Sequence, residues 1–269
     1  MSGLAVAGAA GRMGRQLIRA ILERDDVRFC GATEHPKSEL VGTDAGLLVG
    51  SASLGVTVTA DIALVDDSAE TIIDFTSPEN TRRILRYAAE NKKKLVIGTT
   101  GLNDEDKQLM RQAAEQTAIV FASNYSVGVT LSLELLAMAA SVLGPDYDVE
   151  VIEAHHRHKV DAPSGTALSM GEAVALGQNK NLNDHAVYAR EGITGARPDG
   201  AIGFATIRAG DIIGEHTVMF CGQGERLEIT HKATDRMTFA RGAIRAALWV
   251  SQQSPGLYNM ADVLKPGRS

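Results

Sequence analysis

The chain of 269 residues, 44% apolar and 22% charged, has the length of one large or two modest domains and the make-up of an ordinary globular protein. A net charge of −6, with no Lys/Arg block beyond Lys92-Lys93-Lys94 and one short cationic cluster, excludes a nucleic-acid or membrane surface from this reading, and a small soluble partner is expected instead. The two cysteines, Cys30 and Cys221, lie far apart in apolar, strand-like contexts and read as reduced core thiols, which points to the cytoplasm. No basic region precedes the short N-terminal apolar run, and no stretch approaches the ~18 apolar residues of a spanning helix.

Residues 3–7 read as a short apolar strand, and residues 12–24, with Leu17, Ile18, Ile21 and Leu22 at helical spacing, as a helix. Between them lies Gly8-x-x-Gly11-x-x-Gly14, where glycines permit a tight turn and close approach of a pyrophosphate to a helix N-terminus. A second strand, 28–33, ends at Glu34, 20 residues past Gly14, where the acceptor for ribose hydroxyls belongs in a dinucleotide-binding fold. The glycine spacing differs from G-x-G-x-x-G, so the order strand, glycine turn, helix, acid carries the reading.

Alternation continues with a strand at 71–75, a helix opened by Ser77-Pro78-Glu79, a strand at 95–97, a helix at 104–116 and a strand at 118–122. Such alternation implies a parallel sheet whose ligands lie beyond the carboxyl ends of its strands. Those ends here are Thr76-Ser77, Gly98-Thr99-Thr100 and Ala122-Ser123-Asn124-Tyr125.

After Asn124 a long apolar helix, 127–143, leads to five β-like segments at 148–155, 186–190, 203–208, 216–221 and 226–231. A helix at 167–176 is the other cover, so a second α+β domain with an open mixed sheet is expected, helices on one face only. The remaining face, assigned Val218, Phe220, Leu227 and Ile229, is expected to need a partner subunit. A last helix, 237–250, holds the single Trp249 and is expected to return to the first domain, giving 1–126 with 236–269 as a Rossmann-type dinucleotide domain and 127–235 as the substrate and oligomerisation domain.

The cationic cluster lies within Glu153-Ala154-His155-His156-Arg157-His158-Lys159-Val160-Asp161-Ala162-Pro163-Ser164-Gly165-Thr166 and puts three of the seven histidines, one Arg and one Lys into five consecutive residues. It sits between a strand and a helix start, and free N–H groups at such a start favour an anion. An acidic ligand follows. His and Lys are also suitable donors of the proton that hydride addition requires. In an extended stretch His155, Arg157 and Lys159 share one face and His156 and His158 the other, so a site using both His155 and His156 requires a bend. Adjacent histidines pointing oppositely, with no Cys near, argue against a metal, and none is expected. Neither cysteine lies at a helix start that would activate a thiolate, which disfavours an acylating dehydrogenase. A sensor without turnover would have little use for adjacent proton donors.

The stretch from Glu153 to Thr166, together with Gly8-Ala9-Ala10-Gly11-Arg12-Met13-Gly14, Gly98-Thr99-Thr100-Gly101 and Ile202-Gly203-Phe204-Ala205-Thr206, resembles the bacterial 4-hydroxy-tetrahydrodipicolinate reductases, long called dihydrodipicolinate reductases, and the resemblance extends over essentially the whole chain. It implies an NADH- or NADPH-dependent reductase acting on a small dicarboxylate in lysine biosynthesis, assembled as a homotetramer through the second-domain sheets. It implies His155 and Lys159 as proton donors and His156, Ser164, Gly165 and Thr166 at the substrate carboxylates. On the cofactor side it implies Gly8, Ala9, Ala10, Gly11, Arg12, Met13, Glu34, His35, Gly98, Thr99, Thr100, Ala122, Ser123, Asn124 and Tyr125. One departure bears on cofactor choice: many relatives carry Arg directly after the ribose acid, whereas this chain carries Glu34-His35-Pro36-Lys37, so both donors are expected.

Overall fold

The computed structural model describes residues 1–265; residues 266–269, which the sequence reading assigns to the first domain, lie outside the described residues. Contacts divide the chain into a first unit, Met1–Val127 joined by the chain from Arg236 onward, and a second unit, Gly128–Asp235.

The first unit is built on short, mostly apolar and mostly buried strands: β1 (Ser2–Ala7), β2 (Val27–Thr33), β3 (Val58–Thr59), β4 (Thr71–Asp74), β5 (Lys94–Ile97) and β6 (Ala118–Phe121). With β12 (Gly256–Tyr258) they form one seven-stranded sheet in the order β12-β6-β5-β4-β1-β2-β3, every pairing parallel. A parallel sheet is buried on both faces, which is why β1, β4, β5 and β6 carry consecutive apolar residues rather than alternating ones. On one face Leu4 and Val6 pack with Leu17, Ile18 and Ile21 of α1 (Arg12–Leu22) and with Ala240, Ala243 and Ile244 of α7 (Met237–Val250). On the other, Ala5, Ile72 and Leu95 pack with Ile84 and Leu85 of α2 (Pro78–Asn91) and Met110 of α3 (Asp104–Ala114). A short α8 (Met260–Leu264) closes the described chain.

Ser77 caps α2 ahead of Pro78, as its residues require, and Asn103 and Asp106 form a reciprocal capping box at α3. The α7 helix approaches so closely that a Cβ on Gly242 would stand 1.8 Å from the carbonyl oxygen of Tyr125.

In the second unit α4 (Val127–Leu143) and α5 (Gly165–Gly177) lie on one face of a sheet made of β7 (Asp148–His155), β8 (Ala186–Val187), β9 (Ile202–Arg208), β10 (Gly214–Cys221) and β11 (Arg226–Ala233), with α6 (Leu182–His185) leading into β8. The strand order is β11-β10-β7-β9-β8; β10 runs antiparallel to β7 and β11, while β9 is parallel to β7 and β8. The mixed open sheet expected from sequence is thus present.

Two expectations are overturned here. Val218 and Phe220 are fully buried under Leu136 of α4 and Met170 and Val174 of α5, and the register pairs Val218 with Ile229 and Phe220 with Leu227, so all four belong to the helix-covered side. The open side instead alternates Ile152, Thr217, Met219 and Cys221 with exposed Ile207 and Glu228. The β10 strand carries apolar residues at both parities, and parity alone does not say which set faces the helices. The second correction concerns α4: with its 3₁₀ extension it runs from Val127 to Asp146 and is long and apolar enough to cross a membrane by length and composition. Its Leu136 and Ala140 belong to the second unit's core, whereas Leu131, Leu135, Met138 and Val142 are exposed.

Candidate functional site

In the first unit the glycine turn is held by backbone pairs from Ala9 N–H to Thr33 O and from Gly11 N–H to Gly8 O, at 2.9 and 3.0 Å. Gly8 has φ of +68°, a left-handed conformation glycine adopts without strain. Gly14 packs so tightly that a Cβ would stand 2.1 Å from Gly8 O. Gly11 caps α1 without any side-chain bond, leaving the first-turn N–H groups of an eleven-residue helix to face an anion. Arg12 is exposed beside this turn and Met13 packs beneath it.

Glu34 follows β2 with both carboxylate oxygens engaged: Oε2 accepts Ala10 N–H and Oε1 accepts His35 N–H, each at 2.9 Å. The carboxylate is therefore aimed by the turn it serves and keeps lone pairs for ribose hydroxyls. His35 Nδ1 accepts the Lys37 amide at 3.2 Å, which folds the Glu34–Lys37 turn back on itself. Beside it opens a cavity of about 470 Å³, walled by Gly8, Glu34, Lys37, Asn80, Arg83 and Tyr87. These features fit a dinucleotide: a cradle for the pyrophosphate, an acceptor for the ribose and room for a base.

The loops beyond β4 and β5 are tied by a residue the sequence reading passed over. Asp74, fully buried, accepts the hydroxyls of Thr76 and Thr81, each at 2.5 Å, while Thr99 Oγ1 accepts Thr76 N–H and shares a hydrogen bond with the Thr81 hydroxyl, each at 3.0 Å. Burial pushes the Asp74 carboxyl above its ordinary range despite these donors. Thr99 is thus committed to bracing, and Gly98 lies where a Cβ would meet the Phe75 ring at 2.1 Å; Thr100 is exposed. Of the four residues after β6, Ala122 and Asn124 are half-buried, Ser123 is exposed and Tyr125 is a core pillar whose hydroxyl donates to Ile97 O and Val120 O. An acid closing the apolar run Thr71-Ile72-Ile73-Asp74 before Thr76-Ser77 was the available signal.

In the second unit β7 ends at His155, and the chain bends at once into the turn that carries His156, His158 and Lys159. That is the bend a site using both histidines requires. Glu153, 1% exposed, is the hub: its Oε1 accepts Ser164 N–H at 3.0 Å, the Thr206 hydroxyl at 3.3 Å and Arg208 Nη2 at 2.8 Å, and its Oε2 accepts Arg208 Nη1 at 2.7 Å and meets His155 Nδ1 at 2.6 Å. Burial alone would raise this carboxyl, but Arg208, His155 and the Ser164 amide together hold it below the usual carboxylate range. His155 is therefore fixed through Nδ1, leaving Nε2 as the ring nitrogen Glu153 does not engage, over Gly214 where a Cβ would stand 3.1 Å away.

Ser164, also buried, caps α5 by accepting Ala167 N–H and shares a 2.9 Å bond with His216 Nε2. His216 lies edge-on to His155, ring centroids 5.1 Å apart; burial and the neighbouring His155 push it down to about 4, so it stays neutral. Gly165 and Thr166 form the first turn of α5, Gly165 exposed and Thr166 half-buried. Lys159 Nζ pairs with Asp161 Oδ1 at 2.8 Å, and the Asp161 carbonyl accepts Arg208 Nη2 at 2.7 Å. Thus His155, Lys159, Ser164 and the start of α5 belong to one network, joined by Arg208 and His216, which sequence reasoning missed because 55 and 52 residues separate them from Glu153 and Ser164. Among the described residues no group of His, Cys, Asp and Glu has the arrangement of a metal site.

Comparison with known proteins matches both units to one family. The family model described as dihydrodipicolinate reductase, N-terminus, matches residues 2–125, and that described as dihydrodipicolinate reductase, C-terminus, matches residues 128–264. Among solved structures, the dipicolinate-bound dihydrodipicolinate reductase from Paenisporosarcina sp. TG-14 superposes with a TM-score of 0.74 at 24% identity, covering 96% of this chain and 97% of that one. The amine dehydrogenase from Mycobacterium smegmatis gives 0.59 at 16% identity over 99% of this chain and 97% of its own, and GenD2 from gentamicin A biosynthesis, in complex with NAD, gives 0.60 at 18% over 97% and 89%. At these identities the likenesses to solved structures speak for the fold alone.

Proposed function

Because the chain belongs to the dihydrodipicolinate reductase family, we propose that its two units divide one reaction, residues 1–126 with 236–269 binding the dinucleotide and residues 127–235 the substrate and neighbouring subunits. The activity is the family's: NAD(P)H-dependent reduction of 4-hydroxy-tetrahydrodipicolinate to tetrahydrodipicolinate, the 4-hydroxyl leaving as water, on the diaminopimelate route to lysine, with a small dicarboxylate as substrate. The observation that carries the division of labour is that the glycine cradle with open first-turn amides belongs to one unit, while the fixed imidazole of His155 and the Lys159 ammonium share a network with the start of α5 in the other.

The reduced nicotinamide, when bound, supplies a hydride. Gly8, Ala9, Ala10, Gly11, Arg12 and Met13 hold its pyrophosphate, Glu34 and His35 face its adenosine ribose, and Gly98, Thr99, Thr100 and Ala122, Ser123, Asn124, Tyr125 shape the strand ends where the nicotinamide lies. His155 Nε2 and Lys159 Nζ deliver the proton that hydride addition demands. His156 and the amides of Gly165 and Thr166 receive carboxylates, and Ser164 fixes that turn by capping it. The decisive assay supplies the condensation product of pyruvate and aspartate semialdehyde and follows nicotinamide absorbance; absence of oxidation with both cofactors overturns the reading.

Thr166→Val keeps the β-branched shape and removes the hydroxyl. KM should rise by about tenfold or more, since a hydrogen bond to a charged group is worth roughly 1.5 to 3 kcal/mol. An unchanged KM leaves the carboxylate to backbone amides alone. Pyridine-2,6-dicarboxylate should compete with substrate, and non-competitive inhibition would place the carboxylate site elsewhere.

Both cofactors are accepted in this reading. Glu34 opposes a 2′-phosphate, while Lys37 and Arg83 line the same cavity as point and planar cations. His35→Arg adds a permanently charged fork next to Glu34 and should shift the ratio of kcat/KM values toward NADPH. A wild type that already favours NADPH by more than about tenfold at moderate salt contradicts this account.

A homotetramer joined through the open side of the second-unit sheet fits the part-exposed Ile152, Ile207, Met219 and Cys221 there. A cytoplasmic location fits two free cysteines, and the chemistry calls for neither nucleic acid nor membrane as partner.

A further inference from the structure

We propose that Glu153 is the positioning residue of the proton-donating histidine, fixing the tautomer of His155 so that Nε2 is the nitrogen presented for reaction. The proposal rests on the reading of His155 as a proton donor and adds to it the group through which that donor is set. Three observations converge on it. Glu153 is 1% exposed and its Oε2 lies 2.6 Å from His155 Nδ1, a charge-assisted contact that makes Nδ1 the donor. Among its other partners, Ser164 N–H and both Arg208 Nη groups are donors incapable of accepting, and the Thr206 hydroxyl donates to Oε1 as well, so the carboxylate has one orientation and both oxygens act as acceptors. Finally, Gly214 stands opposite His155 across β7 and β10, and a Cβ there would lie 3.1 Å from Nε2 and 3.4 Å from Cδ2, so glycine keeps the reactive edge of the ring clear.

Satisfying the donors around the hub makes the proposal specific. In Glu153→Gln one oxygen becomes an NH₂ group, and this group has to go somewhere. At the Oε1 position it would confront Ser164 N–H, a backbone donor with no alternative, and Arg208 Nη2. At the Oε2 position it would confront Arg208 Nη1 and His155 Nδ1; the Thr206 hydroxyl at Oε1 could turn to accept but Ser164 N–H there could not, so the imidazole, which exchanges donor for acceptor by moving its proton, is the partner that yields. The amide NH₂ therefore turns toward His155, Nδ1 becomes an acceptor and the proton moves to Nε2. A doubly protonated ring would then set Nδ1–H against the amide's own N–H. The same reasoning holds without Arg208, because Ser164 N–H still dictates where the oxygen goes.

The test compares wild type with Glu153→Gln, Glu153→Gln combined with Arg208→Met, and His155→Ala, in the full-length enzyme. With isotope-labelled histidine, wild type should show a strongly downfield Nδ1–H proton that disappears in His155→Ala and in both Gln variants. In Glu153→Gln, kcat should fall roughly 10- to 100-fold, less than removal of the acid itself, with NADH affinity unchanged. The double variant removes the Arg208 charge that has lost its carboxylate partner and should recover thermal stability without recovering kcat. The positioning role is overturned if the downfield proton persists in Glu153→Gln with kcat near wild type, or if kcat returns together with stability in the double variant. If His155→Ala itself keeps wild-type kcat, the reading of His155 as donor fails, a result the histidine spectra of the Glu153 variants do not depend on.

Discussion

Replacing His155 or Lys159 with alanine is expected to lower kcat by about 10²- to 10⁴-fold, the range typical of a lost general acid, with NADH binding near wild type. The two residues test different things. Lys159 is half-buried in the turn after β7 but pairs with the outward, exposed Asp161, so its loss removes an ammonium at modest cost to the fold; ion pairs open to solvent contribute about 0 to 1 kcal/mol. His155 is buried against Glu153 and His216, so its loss opens space and leaves the hub with one donor fewer. A melting curve should accompany that variant. Because both residues belong to the second unit and the glycine cradle to the first, cofactor titration by nicotinamide fluorescence should be unmoved in each. Weakened NADH binding with intact kcat would place these side chains at the cofactor instead.

Gly14→Ala should nearly abolish cofactor binding, raising the NADH Kd by more than about tenfold and destabilising the fold by about 1 to 3 kcal/mol. A methyl group at Gly14 would stand 2.1 Å from Gly8 O and 2.8 Å from Ala9 C and Cα. All three are backbone atoms of the glycine turn proposed to cradle the pyrophosphate, so the clash is relieved only by moving that turn or by lifting α1 off β1. Gly11→Ala is the control: its Cβ would lie 3.2 Å from Gly8 O, and the residue has φ of −66°, which any amino acid adopts. That variant should bind NADH with a much smaller loss. Equal losses in the two would mean that the turn tolerates no side chain anywhere and that close packing at Gly14 is not the cause.

The contrast between these sites shows which parts of the molecule can be read from residues in order. Gly8, Gly11, Gly14 and Glu34 are legible because their work is local: strand, turn and helix follow one another, and Glu34 reaches Ala10 from the end of the adjacent strand. The cluster from His155 to Lys159 is legible as a concentration of cations, and the bend after His155 is the one that a site using both His155 and His156 would need. Arg208, His216 and Asp74 were not legible as members of a site. Arg208 meets Glu153 because β9 pairs beside β7, and His216 meets Ser164 because β10 pairs on the other side, relations of sheet order that no local pattern encodes. The exposed side of the second sheet was misassigned for a related reason: alternation in β10 gives two sets of residues, and the helices that choose between them are packed from elsewhere in the chain.

The first unit is completed by α7 and β12, which follow the whole of the second unit in the chain. On the ribosome this ordering has a cost. While residues 128–235 emerge, all five strands and both covering helices of the second unit become available in succession, and that unit can close on itself. The earlier sheet must wait, with Leu4 and Val6 lacking the cover that Ala240, Ala243 and Ile244 will bring and β6 presenting an open edge where β12 will pair. A nascent chain stalled before Met237 therefore displays an uncapped parallel sheet, a surface that chaperones bind and that invites pairing with another unfinished copy.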